Sequence, residues 1–306
     1  MKILTAVLLS MLAFVPQEPS RPHILGVAHI SLFVSDIEKS RAFYKDFLGY
    51  EEPFHLDKPD GSLALTFIKI NEDQYIELVP DLKPGADRLN HISLYTDDAE
   101  GLRAFLGGRG VKVPERVSKG RTGNTSFNVK DPEGHTVEFV QYEPDSWSSK
   151  EKGKFMGQSR ISLRMRHLGI LVSNLEAEAA FYEKVLGFKE TWRGSSTGTV
   201  LSWVNMRVPD GTDYVEFMLN KEYPAPDKRG TAHHICLETP DLGKALTALE
   251  ARPSRPTYGH QIEARVGTNR RRLTNLYDPD GTRVELMEPG TVDGTPTPSS
   301  AAPPPK

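Results

Sequence analysis

Four histidines and four glutamates recur along this 306-residue chain in a fixed order. His29, His91, His167 and His234 each open an apolar, strand-like segment, and Glu77, Glu138, Glu216 and Glu285 each lie inside a later one (YIELV, VEFV, YVEFM, VELM). The four His-to-Glu separations fall between 47 and 51 residues. A single strand Glu ordinarily faces water on a half-exposed sheet, and a single His near a strand start is ordinarily structural. Fourfold repetition of the same pair is not what that bland reading expects. If the eight side chains share the inner faces of curved sheets, each Glu is a buried charge, costly unless paired, protonated or bound to metal. Imidazole and carboxylate are both good ligands for a divalent ion such as Ni, Zn, Co, Mn or Fe. His233 competes with His234 for the fourth position. Asp36, Asp98 and Asn174 lie seven residues after their His, and Asp241 lies seven after His234, so His234 is the expected ligand and His233 its neighbour.

The elements that must position these residues repeat with them. From His29 the chain reads HISLFVSDIEKSRAFYKDFLGY, and from His167 it reads HLGILVSNLEAEAAFYEKVLGF. Ser35-x-x-Glu38 and Ser173-x-x-Glu176 are capping-box patterns that start a helix. Gly49 and Gly187, each after a Leu, suit the left-handed position that ends one. Weaker copies begin at His91 and His234. Each copy then runs into short strand-like segments, and Asp131-Pro132-Glu133-Gly134 and Asp278-Pro279-Asp280-Gly281 read as hairpin-type turns before a last strand. Four units result, each a strand, a helix and about three strands. Two units make a domain, giving an α+β chain with one domain at 27–143 and another at 165–289. The polar stretch 144–164 reads as a linker. The Pro/Ser/Thr-rich tail 290–306 cannot bury a core and is expected to be disordered.

Composition narrows the rest. A net charge of −3 with 38 Lys+Arg against 41 Asp+Glu offers no electrostatic reason to expect nucleic acid binding. Cys236 is the only cysteine, which excludes an internal disulfide and any Cys-rich metal site. Its apolar surroundings (HHICLE) predict an inert buried thiol. Residues 1–22 read as an export signal and leader: Lys2 precedes an apolar run, Ile3 to Val15, too short to span a bilayer. No later stretch is long and apolar enough for a transmembrane helix. The protein is therefore expected to be periplasmic or secreted, assuming a bacterial source, and monomeric or homodimeric, with a small molecule as its partner.

The strand-initial His, the Phe-Tyr…Leu-Gly helix (Phe43-Tyr44…Leu48-Gly49 and Phe181-Tyr182…Leu186-Gly187) and the DP(E/D)G…VE ending resemble the vicinal oxygen chelate superfamily. That superfamily includes glyoxalase I, bleomycin-resistance proteins, methylmalonyl-CoA epimerase and extradiol dioxygenases. The resemblance implies βαβββ modules paired into cupped sheets, with one metal ligand from each of four positions. It implies further that a divalent ion binds a substrate through two neighbouring oxygens and stabilises an enediolate, with Glu138 and Glu285 the leading candidates for catalytic base. Extradiol dioxygenases also place a Tyr about ten residues before the last Glu, where this chain has Asn128 and Asn275, so a ring-cleaving reaction is the runner-up. A binding protein that sequesters a drug or metal without chemistry is the third reading, although that group generally lacks the ligands present here. Export weighs against the usual glyoxalase I substrate, because glutathione and methylglyoxal are chiefly cytoplasmic. Arg121, Arg193, Arg207 and Arg270-Arg271-Arg272 could meet an acidic substrate, and Trp192 and Trp203 could line a pocket, although solvated surface and core packing explain such residues as well. Units could pair within each domain or across the two domains, and the spacing favours neither.

Overall fold

In the computed structural model, which describes residues 20–306, the repeats become two eight-stranded mixed sheets. The export signal expected over residues 1–22 lies, as far as residue 19, outside the described residues. The first sheet contains β1 (Gly26–Phe33), β2 (Glu51–Asp57), β3 (Leu63–Lys69), β4 (Tyr75–Val79), β5 (Leu89–Tyr95), β6 (Ser118–Lys119), β7 (Thr125–Lys130) and β8 (Thr136–Gln141), in the order β2-β3-β4-β1-β5-β8-β7-β6. The second contains β9 (Arg164–Val172), β10 (Lys189–Gly194), β11 (Trp203–Arg207), β12 (Tyr214–Leu219), β13 (His234–Glu238), β14 (Arg265–Val266), β15 (Arg271–Tyr277) and β16 (Arg283–Thr291), in the equivalent order. The fold is α+β, with two βαβββ units in each sheet.

Within a unit the first and last strands run parallel, β1 beside β4 and β5 beside β8. A parallel pair requires a crossover, and the helix of each unit supplies it. The two units of a sheet then meet along their antiparallel first strands, β1 with β5 and β9 with β13. Sequence-adjacent units therefore pair, and each domain closes its own sheet. The face turned away from the His and Glu residues carries Ile30, Leu32, Ile76, Leu78, Ile92 and Leu94, all fully buried. They belong to one hydrophobic core that runs through both domains, and each side chain contributes about 1.5–3 kcal/mol by leaving water.

The helices are α1 (Ile37–Arg41), α2 (Ala99–Gly108), α3 (Trp147–Lys150), α4 (Leu175–Ala180) and α5 (Leu242–Glu250); α1 and α4 continue as π-helical turns over Ala42–Phe47 and Phe181–Val185. Gly49 and Gly187 end these turns at φ +84° and +82°, where a side chain would be strained. The start signal differs from the capping box predicted at Ser35 and Ser173. The caps are Asp36 and Asn174, which accept from the amides of Lys39 and Ala177. Asp98 and Asp241 cap α2 and α5 in the same way, so the residue seven positions after each His is a helix cap. Ser35 is used across the domain boundary instead. Its backbone N–H and hydroxyl both donate to Asp280, at 2.9 and 2.5 Å. Ser173 likewise donates to Glu133, 2.8 Å from its backbone N. Each DP(E/D)G turn thus lays a carboxylate on the positive end of the other domain's first helix.

Two segments depart from their expected roles. The 144–164 stretch lies against the first domain: the Trp147 amide donates to the Thr122 carbonyl at 2.8 Å, and its ring meets Phe54 edge-on. The fully buried Lys69 ammonium donates to the carbonyls of Glu151 and Lys154. The tail 290–306, expected to be disordered, is an ordered strap on the second domain. Ser300 N donates to Arg193 O (2.9 Å), Leu201 N to Pro303 O (2.8 Å) and Trp192 Nε1 to Pro298 O (3.3 Å). Its composition lacks the apolar residues for a core of its own, but an extended Pro-rich chain can still satisfy the open backbone groups beside β10, an edge strand.

Candidate metal centres

Strand register places the eight residues. Directly opposed residues, and residues two apart along a strand, share a face. In the first sheet Ser31 faces Glu77 on β4 and His91 on β5, while Ser93 faces His29 on β1 and Glu138 on β8. Two rows, Glu77–Ser31–His91 and His29–Ser93–Glu138, therefore lie on one face. In the second sheet the rows are Glu216–Gly169–His234 and His167–Cys236–Glu285. All eight residues come together, four to a domain, as His29/Glu77/His91/Glu138 and His167/Glu216/His234/Glu285.

In the first domain, His29 Nε2 lies 2.9 Å from His91 Nε2 and 3.1 Å from Glu138 Oε2, and His91 Nε2 lies 3.7 Å from the same oxygen. Ser93 Oγ donates to Glu138 at 2.8 Å, and Ser31 Oγ donates to Glu77 at 2.5 Å. Burial by itself would raise Glu138, but the hydrogen bond and charge of His29, helped by His91 and Ser93, bring it down to about 2. Burial and the neighbouring His29 push His91 down to about 4, and burial raises Glu77. His29, Glu77 and Glu138 line a cavity of about 140 Å³ with Phe67, Tyr75, Arg121, Thr122 and Tyr142 among others.

In the second domain the two Nε2 atoms are 3.0 Å apart. His167 Nε2 stands 3.5 Å from Glu285 and 3.7 Å from Glu216, and His234 Nε2 stands 3.4 Å from Glu216. His234 Nδ1 lies 2.8 Å from the Ala232 carbonyl, and the tautomer that donates there, rather than accepting from Arg283, is the one that leaves the Nε2 lone pair facing inward. The surroundings differ from the first domain. Gly169 and Cys236 stand where Ser31 and Ser93 stand, so both serine hydroxyls are lost. Arg283 brings its guanidinium 2.9 Å from His234 Nδ1, and burial together with that charge depresses His234 to about 3. The cavity, about 70 Å³, is lined by Trp192, Trp203, Arg283, Glu216 and Glu285 among others. Cys236 is a buried free thiol.

Both donor sets fit a divalent ion. Ligand atoms about 2.1 Å from an ion and at right angles about it lie roughly 3 Å apart, and the imidazole nitrogens meet that spacing in both sheets. His233 turns away from these centres, with Nδ1 3.0 Å from Asp87. Of the arginines, Arg121 lines the first cavity, while Arg207 and Arg271 line a separate cleft with Trp192. Arg193, Arg270 and Arg272 are ion-paired with Glu190, Asp293 and Glu288. Sequence reading missed Ser31, Ser93 and Arg283. The signal for the serines was available: His-Ile-Ser occurs at both His29 and His91, against His-Leu-Gly and His-Ile-Cys in the second domain.

Comparison with known proteins agrees with this architecture. The chain is 25% identical over 309 residues to lactoylglutathione lyase of Schizosaccharomyces pombe, covering 85% of this chain and 95% of that protein. It is 23% identical to metapyrocatechase of Geobacillus stearothermophilus, covering 86% and 80%. The crystal structure of the Mn(II)-bound glyoxalase from Novosphingobium aromaticivorans superposes with a TM-score of 0.66 at 16% identity, over 93% of this chain and 89% of that one. Residues 26–139 and 164–286 each match the family model of the Glyoxalase/Bleomycin resistance protein/Dioxygenase superfamily, and the chain belongs to that superfamily.

Proposed function

We propose that this protein is a divalent-metal-dependent isomerase or lyase of the glyoxalase type, acting on a small molecule with two neighbouring oxygens, and that the first domain carries the chemistry. The observation that supports it most is the first centre itself, where His29 and the two serine-held carboxylates line an open cavity and His91 stands 2.9 Å behind His29. A bound ion such as Ni, Zn, Co, Mn or Fe would supply Lewis acidity to the substrate's oxygens. His29, His91, Glu77 and Glu138 would hold it. Glu138, buried at the cavity wall with Ser93 Oγ donating to it at 2.8 Å, is placed to take a proton from a carbon next to a carbonyl. Arg121, on the cavity wall, suits an anionic end on that substrate. In the second domain a guanidinium occupies part of a smaller bowl, which disfavours a second substrate there.

The test is turnover of a panel of hydroxyacyl and dicarbonyl compounds by protein stripped and reloaded with each metal. Glu138→Gln should lower kcat by about 10²–10⁴-fold, and Glu285→Gln should leave it near wild type. The reverse pattern would move the chemistry to the second domain. Oxygen uptake with ferrous iron and a catechol would instead indicate ring cleavage, and metal binding without turnover of any compound would indicate sequestration. We also propose that the protein works outside the cytoplasm, supported by the apolar run after Lys2. Cell fractionation that leaves the full-length chain in the cytoplasm would refute this.

A further inference from the structure

A third set of ligand-type side chains lies away from both sheet faces, at the junction of the domains. Asp131 and His135 bracket the turn between β7 and β8 of the first domain, and Glu178 comes from α4 of the second. One ligand atom of each lies within 4.8 Å of the others. The side chains of Asp131 and His135 are 0% and 8% exposed, and Glu178 is 0% exposed. Neither Glu178 oxygen meets a well-formed donor: the groups beside them are the Asp131 carboxylate and the Glu133 backbone. A buried carboxylate beside a second carboxylate needs either a proton or a cation. Asp131 accepts from the His135 backbone N–H at 2.7 Å and lies 2.8 Å from its Nδ1, which fixes the pair. His233, 2% exposed, stands edge-on to His135 with ring centroids 5.4 Å apart. Its Nδ1 is backed by Asp87 at 3.0 Å, while its Nε2 is buried without a partner. A carboxylate behind an imidazole is the arrangement that orients metal-ligating histidines.

The internal repeat supplies a second, independent observation. At the matching junction on the other side, Asp278 stands for Asp131 and Tyr44 for Tyr182, but Ser40, Thr282 and Asn90 occupy the positions of Glu178, His135 and His233. There Asp278 is satisfied without an ion, by the amides of Thr282 (2.8 Å) and Asp280 (3.0 Å) and the Tyr44 hydroxyl (3.1 Å). Three positions scattered through the sequence thus turn to metal-ligating types together, and on one side only.

We propose that Asp131, His135 and Glu178, with His233 beside them, form a divalent-metal site that ties the two domains together, and that Zn²⁺ is the ion its nitrogen and oxygen donors suit. Without an ion, burial and the adjacent Asp131 carboxylate push the Glu178 carboxyl upward, toward holding a proton. The ion takes the place of that proton and relieves the repulsion between the carboxylates.

Full-length protein is stripped with chelator, equilibrated with zinc and compared with Glu178→Ser and His135→Thr, which install the residues of the other junction. Each variant should bind one zinc equivalent fewer per chain than the wild type. Because a variant at a buried junction can fail to fold, zinc-edge anomalous diffraction from wild-type crystals provides the second measurement. A peak bounded by Asp131, His135 and Glu178 is expected. Crystals without that peak, or folded variants that retain the wild-type zinc content, would overturn the proposal and leave the two carboxylates sharing a proton.

Discussion

Gly169→Ala tests how the second centre is built. Gly169 lies between Glu216 and His234 in the second sheet, where Ser31 lies in the first. A Cβ at this position would fall 1.9 Å from His234 Nδ1, 2.0 Å from its Cε1 and 2.7 Å from the Ala232 carbonyl oxygen. Non-bonded heavy atoms sit comfortably at about 3.5 Å, so something must move by roughly 1.5 Å. β9 is held by strands on both sides and cannot, so the imidazole must swing. It then loses its 2.8 Å contact with Ala232 and its 3.0 Å approach to His167. Overpacking of a filled interior costs about 1–3 kcal/mol. At about 4 °C per kcal/mol, the value between the 60–100 and 150–250 residue classes, the melting temperature should fall by roughly 4–12 °C. Loss of the ring's orientation should weaken metal binding in this domain by about 10–100-fold. Thermal melts and calorimetric nickel titrations of the full chain read both effects. Ser31→Ala is the control: it adds no atom, and its effect should be confined to the first domain's binding step. A Gly169→Ala protein that melts and binds nickel like the wild type would show that the glycine is not required by the imidazole above it.

Two further outcomes follow from the domain junction and the tail. Burial raises the Asp278 carboxyl from 3.8 to about 6, so the folded state binds its proton more tightly than the unfolded state does. The stability this contributes is full below about pH 4 and is lost as pH rises through about 6, a loss of about 3 kcal/mol. Asp278→Asn should flatten that part of the melting-temperature profile, and a profile unchanged between about pH 4 and pH 7 would refute the assignment. Deletion of residues 293–306 leaves β16 whole and removes the bonds to Trp192, Arg193 and Leu201. Tryptophan emission should shift to the red and the melting temperature should drop, whereas an unchanged spectrum would mean that the strap contributes nothing.

The local elements were legible because their causes are local. The period of the apolar residues gives the strands, Gly49 and Gly187 give the helix ends, and the DP(E/D)G turns give the last hairpin of each domain. The metal-type residues were legible for a related reason: four repeats of one unit expose a shared His and Glu that no single copy would distinguish. The helix starts were misplaced by one residue. Ser35 and Asp36 are both good caps, and the choice fell to Asp280, whose carboxylate arrives from the other domain to engage the serine.

The sequence by itself determined four βαβββ units and the types of side chain they bring to the strands. Only the tertiary structure decided which unit joins which, because β1 could in principle have met either β5 or β13, and strand edges carry no local label for their partner. That decision sorted the eight His and Glu residues into two sets of four. It also set Arg283 against His234, brought Glu178 to Asp131 and laid a Pro-rich tail along β10, each a contact between residues far apart in the chain. Burial and register create such contacts, and both exist only once the sheets have closed.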